Sequence, residues 1–397
     1  MNTALEAMLW VSGGLIVWTQ VGYAAALAGL ARVLPPAASG PRERTQRSPE
    51  GGALKQSSPP ASLPALSLIV AAHDEQEVIA AKVANALALD YPRELLQVIV
   101  ACDGCTDATA ARARAAGADL VLELPRGGKI RAQDAAVQQA SGEIVAFSDA
   151  NAQWEPAAAR TLVSAFEDPR VGYACGQVRF VQGAAGGGNQ EGVYWRYELA
   201  VRALESRLSS ITAGNGAIYA TRRESYIVVD PIMGHDLSLP FNIVKRGLRA
   251  VYVADARASE KMVPSLAGEF ARKRRMMSHT WPILLRGGML SPRGYPPGYA
   301  LMILSHRLLR YATPILHVLA LAANIALVAR GAGTLYVVTL GLQLALLLAA
   351  ALAGALPVRP LLIARYYVLT TTSLAAGLWD WLRHGTSAAW EAAEGTR

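Results

Sequence analysis

A short apolar segment that ends in polar residues, at positions 141–151, constrains the fold more than any other feature of the sequence. Its residues 144–147 are continuously apolar, which is typical of a strand buried on both faces of a parallel sheet. Asp149 and Asn151 follow, and side chains two positions apart in an extended chain lie on the same side. Open α/β sheets bind ligands at the carboxyl ends of their strands, and these two side chains carry oxygens that suit a hard cation. A plain turn at the end of the strand is the alternative.

Strand patterns alternate with helix patterns on both sides of this segment. Before it we predict strands at 66–72, 97–101 and 120–122, and helices that begin at Asp74 as N-cap, after Asp107 and after Lys129. After it we predict a helix at 191–205, a strand at 217–220, a helix at 236–245, a short strand at 251–253 and a basic amphipathic helix at 269–277. This alternation predicts the α/β class, with right-handed βαβ units around a mainly parallel sheet.

The apolar residues are concentrated at the two ends of the chain. Hydrophobic residues make up 52% of the sequence, and mean hydropathy is +0.24. We predict a transmembrane anchor at 7–31, with a cleaved signal peptide as the alternative, and a membrane region at 300–382 with two or three spans. In that region Arg365 and Asp380 interrupt the block at 361–382, which either spans or lies in the interface. Between them we predict a flexible linker at 35–64 and a catalytic domain at 66–285.

The net charge of +8 and the pI near 9.5 reflect basic residues beside the apolar blocks. Membrane lipid headgroups account for them more simply than nucleic acid does, and a phosphorylated substrate is a sharper interpretation of the cluster at 272–275. The positive-inside tendency places the domain between the apolar blocks in the cytosol. The expected location is a bacterial-type inner or plasma membrane. Cys102 and Cys105 form a CxxC, but no second pair accompanies them, which argues against a zinc or redox role.

Three carboxylates, Asp103, Asp149 and Asp236, follow strands or turns in the pattern of a nucleoside diphosphate site. One would take the sugar hydroxyls or base edge of the nucleotide, one would act with a divalent cation on the diphosphate, and one would remove a proton from the attacking hydroxyl. Helix caps or turns are the plainer interpretation of each Asp alone. Lys129 follows two glycines at a helix start and is a candidate phosphate contact.

Weaker candidates are one histidine and an aromatic cluster. His235 is either a ligand or proton carrier, or a structural histidine. Tyr194, Trp195 and Tyr197 form either a sugar-stacking platform or part of the core.

Several segments, taken in order, resemble the nucleotide-sugar glycosyltransferases of family 2, and especially the membrane-integral branch of cellulose, chitin, hyaluronan and poly-N-acetylglucosamine synthases. They include LSLIVAAHDEQEVI (66–79), VIVACDGCTDAT (98–109), RGGKIRAQDAAV (126–137), GEIVAFSDAN (142–151) and GHDLSLPFNIVKRGLRAVY (234–252). The resemblance implies a GT-A fold with flanking transmembrane helices. It also implies inverting transfer from a nucleoside diphosphate sugar, with a UDP-sugar expected, using Mg²⁺ or Mn²⁺ and a polysaccharide or lipid acceptor.

The resemblance also implies roles for single residues. Ala71, Glu75, Asp103 and Lys129 would hold the nucleotide sugar. Asp149 matches the first Asp of the DxD motif, Asn151 takes the second, metal-binding place, and Asp236 matches the catalytic base. Trp195, Arg272, Arg275 and Trp281 are the expected acceptor or diphosphate contacts.

Three departures from the family pattern bear on these roles. Asn151 replaces an Asp, His235 replaces the acidic residue before the base, and the QxxRW motif of processive enzymes is absent as such. A non-catalytic nucleotide-binding subunit of a membrane polysaccharide-synthesis complex, acting with a membrane partner subunit, is therefore the alternative function.

Overall fold

The computed structural model describes residues 2–37, 63–181, 189–261 and 266–388. Most of the predicted linker at 35–64 lies outside these ranges, and the side chain of Tyr194 lies outside the described side chains.

The described residues form an eight-stranded mixed sheet. Its strands are β1 (Leu66–Ala72), β2 (Leu96–Asp103), β3 (Leu120–Leu124), β4 (Ile144–Asp149), β5 (Gln153–Trp154), β6 (Val171–Val181), β7 (Tyr219–Arg222) and β8 (Arg249–Lys261). They are arranged in the order β3-β2-β1-β4-β7-β6-β8-β5. Strands β3, β2, β1 and β4 are parallel, whereas β7 is antiparallel to its neighbours β4 and β6. The predicted α/β class is confirmed.

The central strand β4 is buried on both faces, as its apolar run predicts. Val145 and Phe147 belong to an apolar cluster on one face, and Ile144 and Ala146 belong to a cluster on the other. All four side chains are fully buried. Because alternate residues of a strand point to opposite faces, only an element covered on both sides explains such a run.

Helices cover the sheet and extend from both ends of the domain. They are α1 (Asn2–Val17), α2 (Tyr23–Val33), α3 (Ile79–Leu87), α4 (Thr109–Ala115), α5 (Lys129–Gln138), α6 (Ala158–Ser164), α7 (Asn189–Leu208), α8 (His235–Lys245), α9 (Leu266–Leu285), α10 (Pro297–Met302), α11 (Leu309–Ala329), α12 (Thr334–Leu352) and α13 (Arg359–His384). Short π-helical turns, Trp18–Gly22 and Ile303–Leu308, make α1–α2 and α10–α11 continuous.

Two predicted elements begin elsewhere than expected. Helix α3 starts at Ile79 and not at Asp74, because Asp74 has a left-handed φ of 50° and its Oδ1 accepts a hydrogen bond from the Thr106 amide (2.7 Å). Strand β7 starts two residues later than predicted. The Asn215 side chain accepts hydrogen bonds from the amides of Ala217 and Ile218, so these two amides serve the turn instead of the sheet.

The last strand, β8, is far longer than the predicted strand at 251–253. It pairs with β6, an element that the sequence pattern did not predict, and this pairing extends to Lys261 through two register shifts. The extension brings Glu260 toward the carboxyl end of β4.

Four helices within the described residues are long and apolar enough to cross a membrane: Asn2–Val33, Pro297–Ala329, Thr334–Leu352 and Arg359–His384. The last of these contains the block at 361–382, for which the sequence left open whether it spans the membrane or lies in the interface. Its Asp380 accepts two hydrogen bonds from Arg274 on α9, both of 2.6 Å, which accounts for the carboxylate in this largely apolar helix.

A buried polar network joins the apolar helices to the α/β domain. Glu205 on α7 is fully buried and accepts hydrogen bonds from Tyr23 on α2 (2.7 Å) and from the Thr212 amide (3.0 Å). His306, in the π-helical turn, contacts the same carboxylate at 2.7 Å. Because buried charges are costly unless they are paired, this network fixes the position of the helices against α7.

Candidate active site

The predicted carboxylates lie along the edge formed by the carboxyl ends of the parallel strands. Asp103 is the last residue of β2, Asp149 is the last residue of β4, and β1 lies between these two strands. Asp236 lies in the first turn of α8, and its backbone carbonyl accepts a hydrogen bond from the Gly214 amide (2.7 Å). Residues separated by more than a hundred positions are thus brought to one edge of the sheet.

A lysine lies among these carboxylates. The Lys129 ammonium forms an ion pair with Asp149 Oδ1, at the start of α5. Burial has the largest single effect and would lower the pKa of Lys129. The charge and hydrogen bond of Asp149, together with the charges of Asp236 and Glu260, outweigh burial, so the net pKa is raised. Lys129 is therefore charged at neutral pH and partly neutralises an acidic site.

A glycine lies directly beside this ion pair. A Cβ at Gly216 would stand 3.3 Å from Lys129 Nζ and 3.5 Å from Asp149 Oδ2. The glycine-broken turn seen in the sequence thus borders the two charged groups.

Asp236 is held in surroundings that favour its neutral form. Burial raises the pKa of the Asp236 carboxyl above its ordinary value, although Lys129 opposes this effect. A Cβ at Gly234 would come within 2.7 Å of Asp236 Oδ1, so the glycine before the helix lets the carboxylate lie back over the main chain. A carboxylate with a raised pKa is a stronger base than an ordinary Asp.

Asp103 holds the glycine-rich loop that precedes α5. Its Oδ1 accepts hydrogen bonds from the amides of Gly127 (2.6 Å) and Gly128 (3.0 Å), and its side chain is 1% exposed. Gly128 has a φ of 96°, which favours glycine over any other residue. Asp103 thereby fixes the loop from which Lys129 projects.

The remaining predicted nucleotide and metal residues lie close to the same edge. Ala71 is fully buried on β1 and is in register with Asp149 on β4. Glu75 follows β1, is 3% exposed, and its backbone amide donates to Thr109 Oγ1 (2.8 Å). Asn151 lies in the turn that follows β4 and is partly exposed.

The predicted acceptor contacts lie in two different settings. Trp281 is buried between α9 and α13, where its indole nitrogen donates a hydrogen bond to the Leu374 carbonyl (3.1 Å). The indole nitrogen of Trp195 donates to the Val178 carbonyl (3.1 Å), and its ring packs edge-on against Phe180. Both indole nitrogens are thus occupied by main-chain carbonyls. The two arginines lie on the basic helix α9, where Arg272 forms a bidentate pair with Glu269 (2.9 and 3.0 Å) and Arg275 is exposed.

His235 is part of a buried chain of hydroxyl and ring groups. Its Nδ1 lies 3.0 Å from the Tyr219 hydroxyl and its Nε2 lies 3.2 Å from the Tyr226 hydroxyl. Tyr226 in turn donates to Asp134 Oδ1 (2.6 Å). Burial and then Lys129 lower the pKa of His235 to about 3, so the ring is neutral. This geometry favours the structural interpretation of His235.

Two ionisable groups near the site were not found from the sequence. Lys82 is fully buried on the apolar face of α3, where its Nζ donates to the Ala152 carbonyl (2.7 Å), and burial lowers its pKa to about 7. Burial, followed by the charge of Asp149, raises the pKa of Glu260 to about 7. A charged residue at a buried helix position, next to Ile79 and Val83, was the signal for Lys82. Glu260 gave no signal, because the length of β8 was not predicted.

The segment after α13 reaches the glycine-rich loop. Thr386 Oγ1 donates to the Ser278 carbonyl on α9 (2.8 Å), and the Ala388 carbonyl lies where a Cβ on Gly128 would approach within 2.2 Å. The end of the described chain therefore packs beside the loop that carries Lys129.

Comparisons with known proteins agree with this architecture. Residues 64–278 match the protein family described as Glycosyltransferase like family 2. A search of curated protein sequences gives no significant match. The solved structure of the mannosyltransferase PcManGT from Pyrobaculum calidifontis, in complex with GDP-Man and Mn²⁺, is similar at 22% identity and a TM-score of 0.69, over 96% of this chain and 99% of that chain.

A second solved structure, glucosyl-3-phosphoglycerate synthase from Mycobacterium tuberculosis, is 22% identical, with a TM-score of 0.41, over 59% of this chain and 81% of that chain. The family match and the similarity to the Pyrobaculum structure confirm the predicted GT-A fold with flanking apolar helices.

Proposed function

The chain belongs to glycosyltransferase family 2, and from this premise we propose that it moves a sugar from a UDP-sugar to a polysaccharide or lipid acceptor at the cytosolic face of a membrane. The observation that carries the proposal is the Lys129–Asp149 ion pair beside Gly216, together with an Asp236 carboxylate near enough to raise the pKa of Lys129. One ammonium and two carboxylates in different surroundings suit both the binding of a diphosphate and the activation of a hydroxyl.

Asp149 and Asn151 suit a divalent cation that takes its other ligands from the donor. Mg²⁺ usually binds through one or two carboxylates together with substrate phosphates, and Asp149 supplies a carboxylate at the end of β4, beside Gly216. Bound Mg²⁺ or Mn²⁺ would stabilise the negative charge of the leaving diphosphate. Lys129 supplies a second positive charge at the same place.

The nucleoside would lie along the ends of β2, β1 and β4. Because β1 lies between the other two strands, Ala71 and Glu75 are flanked by Asp103 on one side and Asp149 on the other. Asp103 also holds the loop that carries Lys129. In this arrangement the base and ribose contact the first part of the domain, and the diphosphate points toward Lys129.

Asp236 would accept the proton of the attacking acceptor hydroxyl. Its raised pKa brings its basicity nearer to that needed for proton transfer at neutral pH. A hydroxyl activated there attacks C1 of the sugar opposite the departing diphosphate, so the anomeric configuration is inverted. Arg272 and Arg275 on α9 are the proposed contacts for the diphosphate or acceptor.

The acceptor side of the proposal depends on the apolar helices. Four candidate spans and the basic helix α9 suit a protein of the membrane-integral branch of the family, in a bacterial-type inner or plasma membrane, whose site opens near anionic headgroups. Both a lipid and a growing polysaccharide fit such a surface.

A donor panel tests the proposed function. Purified full-length protein in lipid nanodiscs is given UDP-glucose, UDP-galactose, UDP-N-acetylglucosamine and GDP-mannose, with Mn²⁺, Mg²⁺ or EDTA, and nucleoside diphosphate release is measured. GDP-mannose is included because the similar Pyrobaculum structure holds it. Metal-dependent turnover of a UDP-sugar is the expected result. Turnover of GDP-mannose alone would replace the proposed donor, whereas nucleotide binding without any turnover would favour the non-catalytic subunit.

A further inference from the structure

A second cluster of metal-binding side chains lies beyond the proposed catalytic groups, between the loops that follow β1 and β2. His73 and Asp74 come from the first loop and Cys105 from the second. One ligand atom from each lies within 4.8 Å of the other two, and all three residues are partly buried. The CxxC motif in the sequence does not by itself reveal this grouping, since the nitrogen and oxygen donors come from a different loop.

The histidine is oriented as metal-binding histidines usually are. Its Nδ1 lies 2.7 Å from the Asp103 carbonyl, so Nδ1 carries the proton and Nε2 carries the lone pair. Metal-ligating histidines almost always donate their other ring N–H to a carbonyl or carboxylate, which fixes the tautomer. His73 Nε2 lies 3.6 Å from Asp74 Oδ2.

The aspartate and the cysteine are also held in place from outside the cluster. Asp74 Oδ1 accepts a hydrogen bond from the Thr106 amide (2.7 Å), and the left-handed backbone of Asp74 turns its Oδ2 toward His73. Cys105 Sγ lies 3.5 Å from the Ala72 carbonyl at the end of β1. Each of the three side chains is thereby positioned by the main chain of the two loops.

The distance between two of the three ligand atoms fits a tetrahedrally coordinated ion. Zinc bonds of about 2.0–2.3 Å separate two ligand atoms of a tetrahedral site by about 3.3–3.8 Å, and the distance from His73 Nε2 to Asp74 Oδ2 is within this range. One imidazole, one carboxylate and one thiol suit Zn²⁺, whereas Mg²⁺ and Mn²⁺ prefer oxygen.

We propose that His73 Nε2, Asp74 Oδ2 and Cys105 Sγ bind one Zn²⁺, with a water molecule as the fourth ligand. The ion would hold the loop that carries Glu75 against the loop that follows Asp103, at the carboxyl ends of β1 and β2. This site is separate from Asp149 and Asn151 in both position and ligand chemistry. The proposal therefore does not depend on the proposed function.

Metal retention by the full-length protein tests the proposed Zn²⁺ site. Protein in detergent is treated with EDTA, incubated with Zn²⁺ in the presence of excess Mg²⁺, dialysed, and analysed for metal content. We expect about one Zn²⁺ per chain, as in other protein zinc sites, and affinity lowered about tenfold or more in Cys105→Ser and His73→Ala. Asp149→Asn and Cys175→Ala are the controls and should retain the wild-type stoichiometry.

Substitution with Co²⁺ gives a second measurement that does not rely on stoichiometry. Wild-type protein should show a thiolate-to-Co²⁺ charge-transfer band that is absent from Cys105→Ser. Asp74→Asn replaces the cysteine variant if Cys105→Ser does not fold, and it should weaken Zn²⁺ binding while keeping the thiolate band. A wild type that retains no Zn²⁺, or Zn²⁺ that binds Cys105→Ser and wild type equally, would overturn the proposal.

Discussion

Side chains of the same type lie in different surroundings in this fold, and their surroundings determine their chemistry. Asp236 and Asp149 are the same residue type, but Asp236 has a pKa raised by burial, whereas Asp149 forms an ion pair with Lys129. Two carboxylates in different surroundings can take different roles in one reaction. We infer that Asp149 serves the diphosphate and Asp236 serves the acceptor hydroxyl.

Asp236→Asn should abolish turnover without loss of stability. Loss of a general base lowers the rate by about 10²–10⁴-fold, while donor binding at the other strand ends is retained. A raised carboxyl pKa favours folding at low pH, and that contribution is lost as pH rises through the folded pKa, so the ionised Asp236 costs stability at neutral pH. The neutral Asn removes this cost. Turnover, donor binding and thermal unfolding are measured together.

The matched control for this variant is Asp255→Asn, at a side chain that is 80% exposed. It should leave turnover and unfolding temperature unchanged. Near-normal turnover by Asp236→Asn would show that another group is the base.

His235 should make the fold sensitive to acid without taking part in the reaction. Its pKa is about 3 in the fold and about 6.5 in an unfolded chain. Because the folded pKa is lowered, its contribution to stability is complete above about pH 6.5 and declines as pH falls toward 3. His235→Gln should flatten the fall in unfolding temperature across this window. An unchanged pH dependence in the variant would contradict the buried, neutral histidine.

The strand-end residues were predictable from sequence order, but their environments were not. Asp103, Asp149 and Asp236 follow recognisable strands or turns, whereas the Lys129–Asp149 ion pair and the two hydroxyls around His235 depend on distant residues. Asp74 was misread as a helix cap because its partner, Thr106, lies in another loop. Local patterns cannot show which distant group a side chain will contact.

At the scale of elements, the glycine-rich loop before α5 joins three parts of the molecule. Asp103 on β2 accepts hydrogen bonds from the amides of this loop, and Lys129 extends from the end of the loop. The Ala388 carbonyl packs against Gly128. The loop can keep this form only with glycine at position 128, since φ is 96° and there is no room for a Cβ.

Gly128→Ala should weaken donor binding and destabilise the fold more than Gly247→Ala. Both glycines have positive φ, but a Cβ at Gly247 meets no atom within 4 Å, whereas one at Gly128 meets the Ala388 carbonyl at 2.2 Å. Gly247→Ala should cost about 1–2 kcal/mol from backbone strain alone. The free energy of unfolding and the affinity for the donor are measured for both variants. Gly247→Ala reports backbone strain alone, and Gly128→Ala reports strain together with the steric conflict. Equal effects on both measurements would contradict the packing of the last segment on this loop.

Contact between α9 and α13 should depend on Gly377. A Cβ there would approach Met277 Cβ at 2.5 Å and the Arg274 carbonyl at 2.8 Å. Gly377→Leu should therefore lower the unfolding temperature in detergent, with a cost of about 1–3 kcal/mol or more from overpacking. Gly341→Leu is the control, because a Cβ on Gly341 meets no atom within 4 Å. Similar unfolding temperatures for the two variants would contradict the close contact of these helices.

Elements with a strong local pattern were predicted well, and those that depend on pairing were not. Strand β1 was found at its predicted bounds. In contrast, β6 and the long β8 stabilise each other across the sheet, and neither carries a clear periodic pattern of its own. Strand pairing over long sequence separation is not encoded in a local window.

At the scale of the whole molecule, a catalytic domain is joined to apolar helices by buried charges. Glu198 on α7 pairs with Arg310 on α11, and Glu205 contacts His306 in the turn between α10 and α11. Such pairs are costly to break once buried. We infer that the domain is held in a fixed orientation to the helices.

The most direct test of this account is a Mn²⁺ titration of donor turnover, on the best donor from the panel, for wild type, Asp149→Asn and Asp255→Asn in lipid nanodiscs. The account predicts saturable Mn²⁺ activation in wild type and in Asp255→Asn. In Asp149→Asn it predicts loss of turnover by about 10²-fold or more, since the carboxylate beside the diphosphate is removed. Turnover by Asp149→Asn with wild-type rate and metal dependence would contradict the placement of the donor diphosphate at the end of β4.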